Sequence, residues 1–524
     1  MNRDDLRYKI PKPWLIITFL SIIILSLPFF FARGVGIVDD TNFLIIAKWM
    51  KYGFKPYNDL AELKPPGIYY VLYLINIFFG EAWWVSRVFI FLIDILFAVL
   101  IIFFLKRIYN STFAWLGGIN LYTSLILFGG YRIHTEILCA LLGMLGLFLI
   151  SNKKDLHFKD SLLFGIIIGI SSIFKQPGIF YLIAYILFLI FKKIPKKEKL
   201  LNGSFIILGF SIIWIIIIFL LYKYSLLKNF IRYVIVMPFI FPGDPKYLHG
   251  LKLLLRTPVI LILITLIPLM IKREKINYNF LGFEFLLFLV IIFFYIPILK
   301  RPTPHYYICL LFALVILSVK VWLKLLDYYI SRINLKPFFI YLLLILPSLH
   351  LIAGIVYGSI FFIKEKRLQY DCLIAHRLGE IINTYTSEKD PILCFSPSYV
   401  SSRLYYLIER RPLLPYFSIT PMERESKYKF EELLNIIKEA SVPVVIIEDE
   451  IDKDDFTVVP KIKFLQALSD KYRKINFCFD KDYSRKKKIE IYILKTLNPK
   501  INTPFKSNIF PDPCLNRIYY KCNN

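Results

Sequence analysis

Cysteine, histidine and acidic residues are all scarce along these 524 residues, and each scarcity closes off some chemistry. The seven cysteines show no metal-ligand spacing. Cys139 and Cys309 fall inside apolar runs, where a thiol packs as a small hydrophobe, and Cys372, Cys394, Cys478, Cys514 and Cys522 follow the last apolar span in an order that dictates no disulfide pairing. There are six histidines, and His305 has no partner at ligand spacing. No metal site and no cofactor is indicated, although a divalent metal is compatible with the chemistry described below. Internal repeats and low-complexity segments are missing as well.

Acids number 38 against 65 lysines and arginines, for a net charge of +27. In a soluble domain such an excess would point to nucleic acid, which needs a basic face. Here the lysines stand in short runs between apolar stretches, as loops facing anionic lipid do, and nucleic acid is excluded as a partner. Hydrophobic residues make up 57% of the chain and aromatics 17%, more than one soluble interior can hold. The composition predicts a polytopic α-helical membrane protein.

Eleven candidate spans follow from the apolar runs: 14–32, 82–105, 112–131, 137–151, 161–174, 178–191, 203–221, 257–271, 280–299, 305–323 and 337–362. The first, behind Arg3, Arg7, Lys9 and Lys12, reads as an uncleaved signal anchor. With that basic end in the cytoplasm, the inner loops (106–107, 152–159, 192–199, 272–275 and 320–336) are all rich in lysine or arginine. Ile68–Phe79 and Ile231–Phe241 would break the alternation if they crossed, so both are placed at the outer face; counting them as well would give up to thirteen helices. The outer segments are then 39–64, 132–136, 175–177, 244–249 and 300–305.

The composition changes after Lys364. Strand-like segments (Pro391–Phe395, Val442–Ile447, Ile489–Leu494) alternate with helical ones (Leu368–Thr384, Phe430–Ala440, Ile462–Lys471), which predicts a C-terminal α/β domain over 366–498, extracytoplasmic by parity. Residues 1–365 form the membrane domain, with the first outer loop at 33–81, and 499–524 read as an irregular tail. Ser396-Pro397-Ser398 and Arg410-Arg411-Pro412 read as turn and surface residues.

Chemistry is expected at the outer face. Asp39 and Asp40 stand at the outer end of the first span, Glu136 at another outer end, and Lys64, Lys175, Lys300 and Arg301 lie on the side where lysine is least expected. Acids able to accept a proton beside cations able to hold an anion suit a reaction on a phosphate-bearing lipid. Each part has a plainer reading: Asp39 and Asp40 as caps of the helix over 41–51, and Lys64 as a snorkelling anchor.

The ordered set of acid pair, Gly53-Phe54-Lys55-Pro56-Tyr57-Asn58-Asp59, Lys64-Pro65-Pro66, Phe79-Gly80, Arg87, Thr135-Glu136, Phe174-Lys175-Gln176-Pro177-Gly178 and Arg301 to Tyr307 resembles the GT-C glycosyltransferases over roughly 15–330. Within them it is similar to the branch of protein mannosyltransferases and lipid A aminoarabinose transferases. Two positions depart from the pattern: Asp40 stands where Glu is commoner, and Glu136 where many relatives carry Asp. The resemblance implies a multi-pass cell-membrane enzyme that inverts the sugar as it moves it from a polyprenyl-phosphate donor to a glycan, lipid or protein acceptor. Asp39 would be the general base, with Asp40 and Glu136 beside it. Lys64, Lys175, Arg301 and His305 would bind the lipid phosphate, and Arg132, His134 and Tyr306 would orient substrate. A transporter or flippase of lipid-linked sugar is the alternative, and Asp94 and Glu284, each inside a span, are the residues it would use; a non-catalytic subunit is a third reading.

Overall fold

The computed structural model describes residues 12–31, 38–109, 111–151, 157–240, 283–300, 303–333, 356, 378–387, 390–395, 404–405, 434–435, 437–439, 442–448, 466–475 and 489–497. The expected span at 257–271, nearly all of that at 337–362, and the domain borders at 365–366 and 498–499 lie outside these residues.

Helices dominate the first part: α1 (Lys12–Phe31), α2 (Val38–Lys51), α3 (Gly67–Phe79), α4 (Trp83–Ile108), α5 (Ser111–Leu127), α6 (Thr135–Ser151), α7 (Phe158–Ser172), α8 (Ile179–Phe191) and α9 (Lys196–Lys223). The run Leu227–Phe230 (α10), a π-helical turn Ile231–Val236 and Met237–Ile240 (α11) follow, then α12 (Phe283–Lys300) and α13 (Ile308–Ile333). Helices α1, α4 and α9 are each long and apolar enough to cross a bilayer alone, and shorter apolar helices pack among them. At 1.5 Å per residue the 26 residues of α4 reach about 39 Å, beyond a hydrocarbon core of about 30 Å. The 13 residues of α3 reach only about 20 Å. That helix starts at the rigid Pro65-Pro66, packs on α2 and leaves Leu74, Ile77, Phe78 and Phe79 exposed as an apolar strip.

Helix α9 joins the bundle by backbone contact with α7. A Cβ on Gly165 would stand 2.1 Å from the Ile206 carbonyl oxygen, and one on Gly209 2.2 Å from that of Leu162. Only a hydrogen fits between the two helices, the small-residue approach that lets membrane helices gain van der Waals contact.

The later part contains a four-stranded sheet of β1 (Ile392–Phe395), β2 (Val444–Glu448), β3 (Tyr472–Ile475) and β4 (Ile489–Leu494) in the order β1-β2-β4-β3. β1 pairs parallel with β2, and β4 pairs antiparallel with both β2 and β3. Three strands coincide with those expected from the sequence. β3 was not expected, because Tyr-Arg-Lys-Ile presents two exposed basic side chains and directly follows a helix. The Tyr405 hydroxyl accepts from the Cys394 N–H at 3.0 Å and donates to the Ile392 carbonyl at 3.1 Å, satisfying backbone groups of β1 as a strand would.

Candidate active site

The polar residues gather at one end of the helical bundle. α1 ends there, with Phe29 and Phe30 against Tyr131, and so do the N-termini of α4 and α6, the α7–α8 turn and the 3-10 turn Pro304–Tyr307 before α13. The other end holds Lys106, Arg107, Lys192 and Lys193, and an ion pair between Glu284 and Lys320, so Glu284 belongs to the basic end. Asp94 stands midway along α4, fully buried, and among the described residues neither of its oxygens has a hydrogen-bond partner.

Arg87, one turn into α4, and Asp40, in the first turn of α2, form a buried ion pair at 2.5 Å. Arg87 also donates to the Tyr131 carbonyl at 2.7 Å, and the other Asp40 oxygen accepts from the Ile133 N–H at 3.0 Å. Charges out of water persist only when paired and hydrogen-bonded, and both conditions hold here. The pair locks α2, α4 and the α5–α6 turn into one frame. Asp39 precedes Asp40 in the same helical turn; its side chain lies outside the described residues.

Glu136 and Lys175 form the second buried pair. The Thr135 hydroxyl donates to Glu136 at 2.9 Å, His305 Nε2 stands 3.6 Å from its carboxylate, and the Lys175 ammonium lies 3.9 Å from the centre of the Tyr306 ring. The rings of His134 and His305 stack at 4.3 Å and 16°. Burial, then His305 and the neighbouring cations Arg132, Lys175 and Arg87, push His134 well below the usual imidazole range. Burial, then Lys175, Lys64 and Arg132, do the same to His305. Both imidazoles are neutral at pH 7, in a field that favours an anion. His134 Nε2 and Thr303 Oγ1 are buried without hydrogen-bond partners among the described residues.

Lys64 reaches this field from the loop before α3. Its carbonyl accepts from the hydroxyls of Tyr57 at 2.8 Å and Tyr69 at 3.3 Å, and the Gly67 N–H donates to the Ile173 carbonyl at 2.8 Å, so close that a Cβ on Gly67 would meet that oxygen at 2.7 Å. Gln176 donates to the carbonyls of Leu63 at 2.9 Å and Val234 at 3.0 Å. Arg132 donates to the Tyr131 hydroxyl at 3.2 Å.

The structure thus brings together Asp40, Lys64, Arg132, His134, Glu136, Lys175, His305 and Tyr306. Arg301 lies outside the described residues, as does the side chain of Lys300. Lys175 and Glu136, expected to serve different substrate groups, are each other's partners. The partner roles of Arg87, Thr135 and Gln176 are not apparent from the sequence; Arg87 carried a signal, being a guanidinium near the start of an apolar run. Among the described residues no group of three or more His, Cys, Asp or Glu could hold a metal ion.

Residues 63–239 match the family model of dolichyl-phosphate-mannose-protein mannosyltransferase, a stretch that contains Lys64, Arg87, Glu136 and Lys175. No curated protein matches the chain in sequence. In three dimensions the chain is similar to ArnT from Cupriavidus metallidurans in the apo state, with a TM-score of 0.61 at 12% identity over 92% of this chain and 98% of that one. The same protein bound to undecaprenyl phosphate gives 0.61 at 11% identity over the same shares of the two chains. The archaeal oligosaccharyltransferase AglB from Archaeoglobus fulgidus, in complex with an inhibitory peptide and a dolichol-phosphate, gives 0.53 at 10% over 88% of this chain and 73% of that one. The chain therefore shares the GT-C fold of these structures, and over residues 63–239 it resembles the dolichyl-phosphate-mannose-protein mannosyltransferases.

Proposed function

We propose that this protein is a membrane glycosyltransferase that moves a sugar, with inversion, from a polyprenyl-phosphate donor to a hydroxyl of a glycan, lipid or protein at the extracytoplasmic face. The observation that carries it is the convergence of acids and cations from five separate chain segments, with His305 from a sixth, at one bundle end, opposite the end rich in basic loops. The undecaprenyl phosphate and dolichol-phosphate held by the ArnT and AglB structures support the donor class. The basic end would face the cytoplasm, and the sheet domain would stand outside.

Asp39 takes the acceptor proton while the acceptor oxygen attacks the anomeric carbon. The bond from that carbon to the phosphate oxygen breaks, and the electron pair leaves with the phosphate. Lys64 and Arg301 neutralise the charge that develops on it, with His305 alongside as a neutral hydrogen-bonding group. Lys175 reaches the phosphate only by sharing the Glu136 carboxylate. Asp40, with both oxygens engaged, acts through Arg87 to hold the helix that carries Asp39. Arg132, His134 and Tyr306 orient the substrates, and the apolar face of α3 lies along the prenyl chain.

The test is transfer in proteoliposomes from a synthetic polyprenyl-phosphate sugar. Wild-type protein transfers the sugar and Asp39→Asn, equally folded, does not. Full transfer by Asp39→Asn would remove that residue from its role, and passage of intact donor across the membrane by both proteins would favour a flippase.

A further inference from the structure

Gln176 lies outside the acid and cation cluster, yet it joins three separated stretches of chain. It opens the 3-10 turn Gln176–Gly178, which presses so closely on the end of α7 that a Cβ on Gly178 would stand 2.7 Å from Ser172 Cα. The base of the side chain is therefore fixed by backbone packing. A primary amide has two N–H donors in one plane, and here the nitrogen bonds two carbonyls, Leu63 at 2.9 Å and Val234 at 3.0 Å. Leu63 precedes Lys64. Val234 belongs to the π-helical turn, a geometry that often occurs at functional sites. The segment holding Val234 packs on the same loop: Phe230 lies edge-on to Tyr57 at 5.4 Å, and Asn229 donates to Asn58 at 3.2 Å.

We propose that Gln176 is a positioning residue, whose amide clamps the Lys64 loop and the 227–240 segment to the end of α7 and so fixes where the leaving phosphate is held. The preceding residue, Lys175, pairs with Glu136, so two consecutive side chains set the spacing between the Glu136 pair and Lys64. The role of Lys64 rests on the function proposed above; the clamp rests on the hydrogen bonds alone. Leucine keeps the size but removes both donors. Glutamate places an acceptor against two carbonyls. Lysine restores donors to the same place.

The experiment uses the full chain in nanodiscs, with hydrogen exchange over residues 55–66 and steady-state kinetics on a synthetic polyprenyl-phosphate sugar. In Gln176→Leu, exchange over 55–66 rises and the donor KM rises about tenfold while kcat changes less than about threefold, the scale of two net hydrogen bonds spent on binding. Gln176→Glu exceeds both effects, and Gln176→Lys returns both toward wild type. Unchanged exchange in Gln176→Leu overturns the clamp, and a fall in kcat at constant donor KM overturns its action through Lys64. Should Gln176→Leu fail to fold, Gln176→Glu and Gln176→Lys make the same comparison, and equal behaviour of the two overturns the proposal. If the wild type does not use the donor while the Leu variant still loosens 55–66, the donor class is wrong and the clamp stands.

Discussion

Replacing Arg87 by methionine keeps much of the apolar stem of the side chain but leaves Asp40 charged, 1% exposed and without its guanidinium partner, while the Tyr131 carbonyl loses the Arg87 donor. Breaking a buried pair from one side typically costs about 3–5 kcal/mol, because the remaining charge stays out of water with no opposite charge to compensate it. The Lys51–Glu81 pair is an internal control, since Lys51 is exposed and such surface pairs contribute about 0–1 kcal/mol. Equilibrium unfolding in mixed micelles, followed by tryptophan fluorescence, should show a loss of about 3–5 kcal/mol for Arg87→Met and under about 1 kcal/mol for Lys51→Met. Combining Asp40→Asn with Arg87→Met removes both charges. The double variant should then recover at least about 2 kcal/mol relative to the sum of the singles. Additive losses, or an Arg87→Met cost under about 1 kcal/mol, would refute the claim that this pair holds the site's frame.

Two further outcomes follow from local geometry. Gly165→Ala forces a methyl onto the Ile206 carbonyl, so α7 and α9 must part at a cost of about 1–3 kcal/mol; Gly203→Ala, with nothing within 4 Å, should cost nothing, and equal thermal shifts would contradict the contact. His134 is held neutral when folded and returns to the ordinary imidazole pKa when unfolded, so the unfolded chain binds the extra proton and stability falls as pH drops below about 6.5, by up to about 1.4 kcal/mol per pH unit. His134→Phe keeps the stack on His305 and should remove the His134 share of that slope while the share from His305, pushed down in the same way, remains; an unchanged slope would place the titration elsewhere.

Much of the helical frame is legible in the sequence because hydrocarbon imposes length and loop charge imposes alternation. Span edges at 82, 137 and 178 and the start of the short helix at 68 fall within two residues of the helices observed. The same alternation of charged loops is enough to gather Lys64, Glu136, Lys175 and His305 at one end. Partner choice is not legible: nothing in the spacing of Glu136 and Lys175, or of Asp40 and Arg87, says that they meet, because each pairing depends on helix rotation and packing. Gln176 stands out only as one member of a motif, since a side-chain amide bonding two backbone carbonyls leaves no pattern in composition or charge. Asp39 and Asp40 look alike in sequence. In the structure both oxygens of Asp40 are engaged, by Arg87 and by the Ile133 N–H.

The central claim is that this cluster faces away from the cytoplasm, and labelling of single cysteines in intact cells tests it most directly. At the exposed positions Asn58 and Tyr52, beside the Lys64 loop, a membrane-impermeant maleimide should react, whereas at exposed Lys197, at the basic end, it should react only after the membrane is broken. Labelling of Lys197→Cys in intact cells with Asn58→Cys and Tyr52→Cys protected would put the acids and cations on the cytoplasmic side and contradict the account.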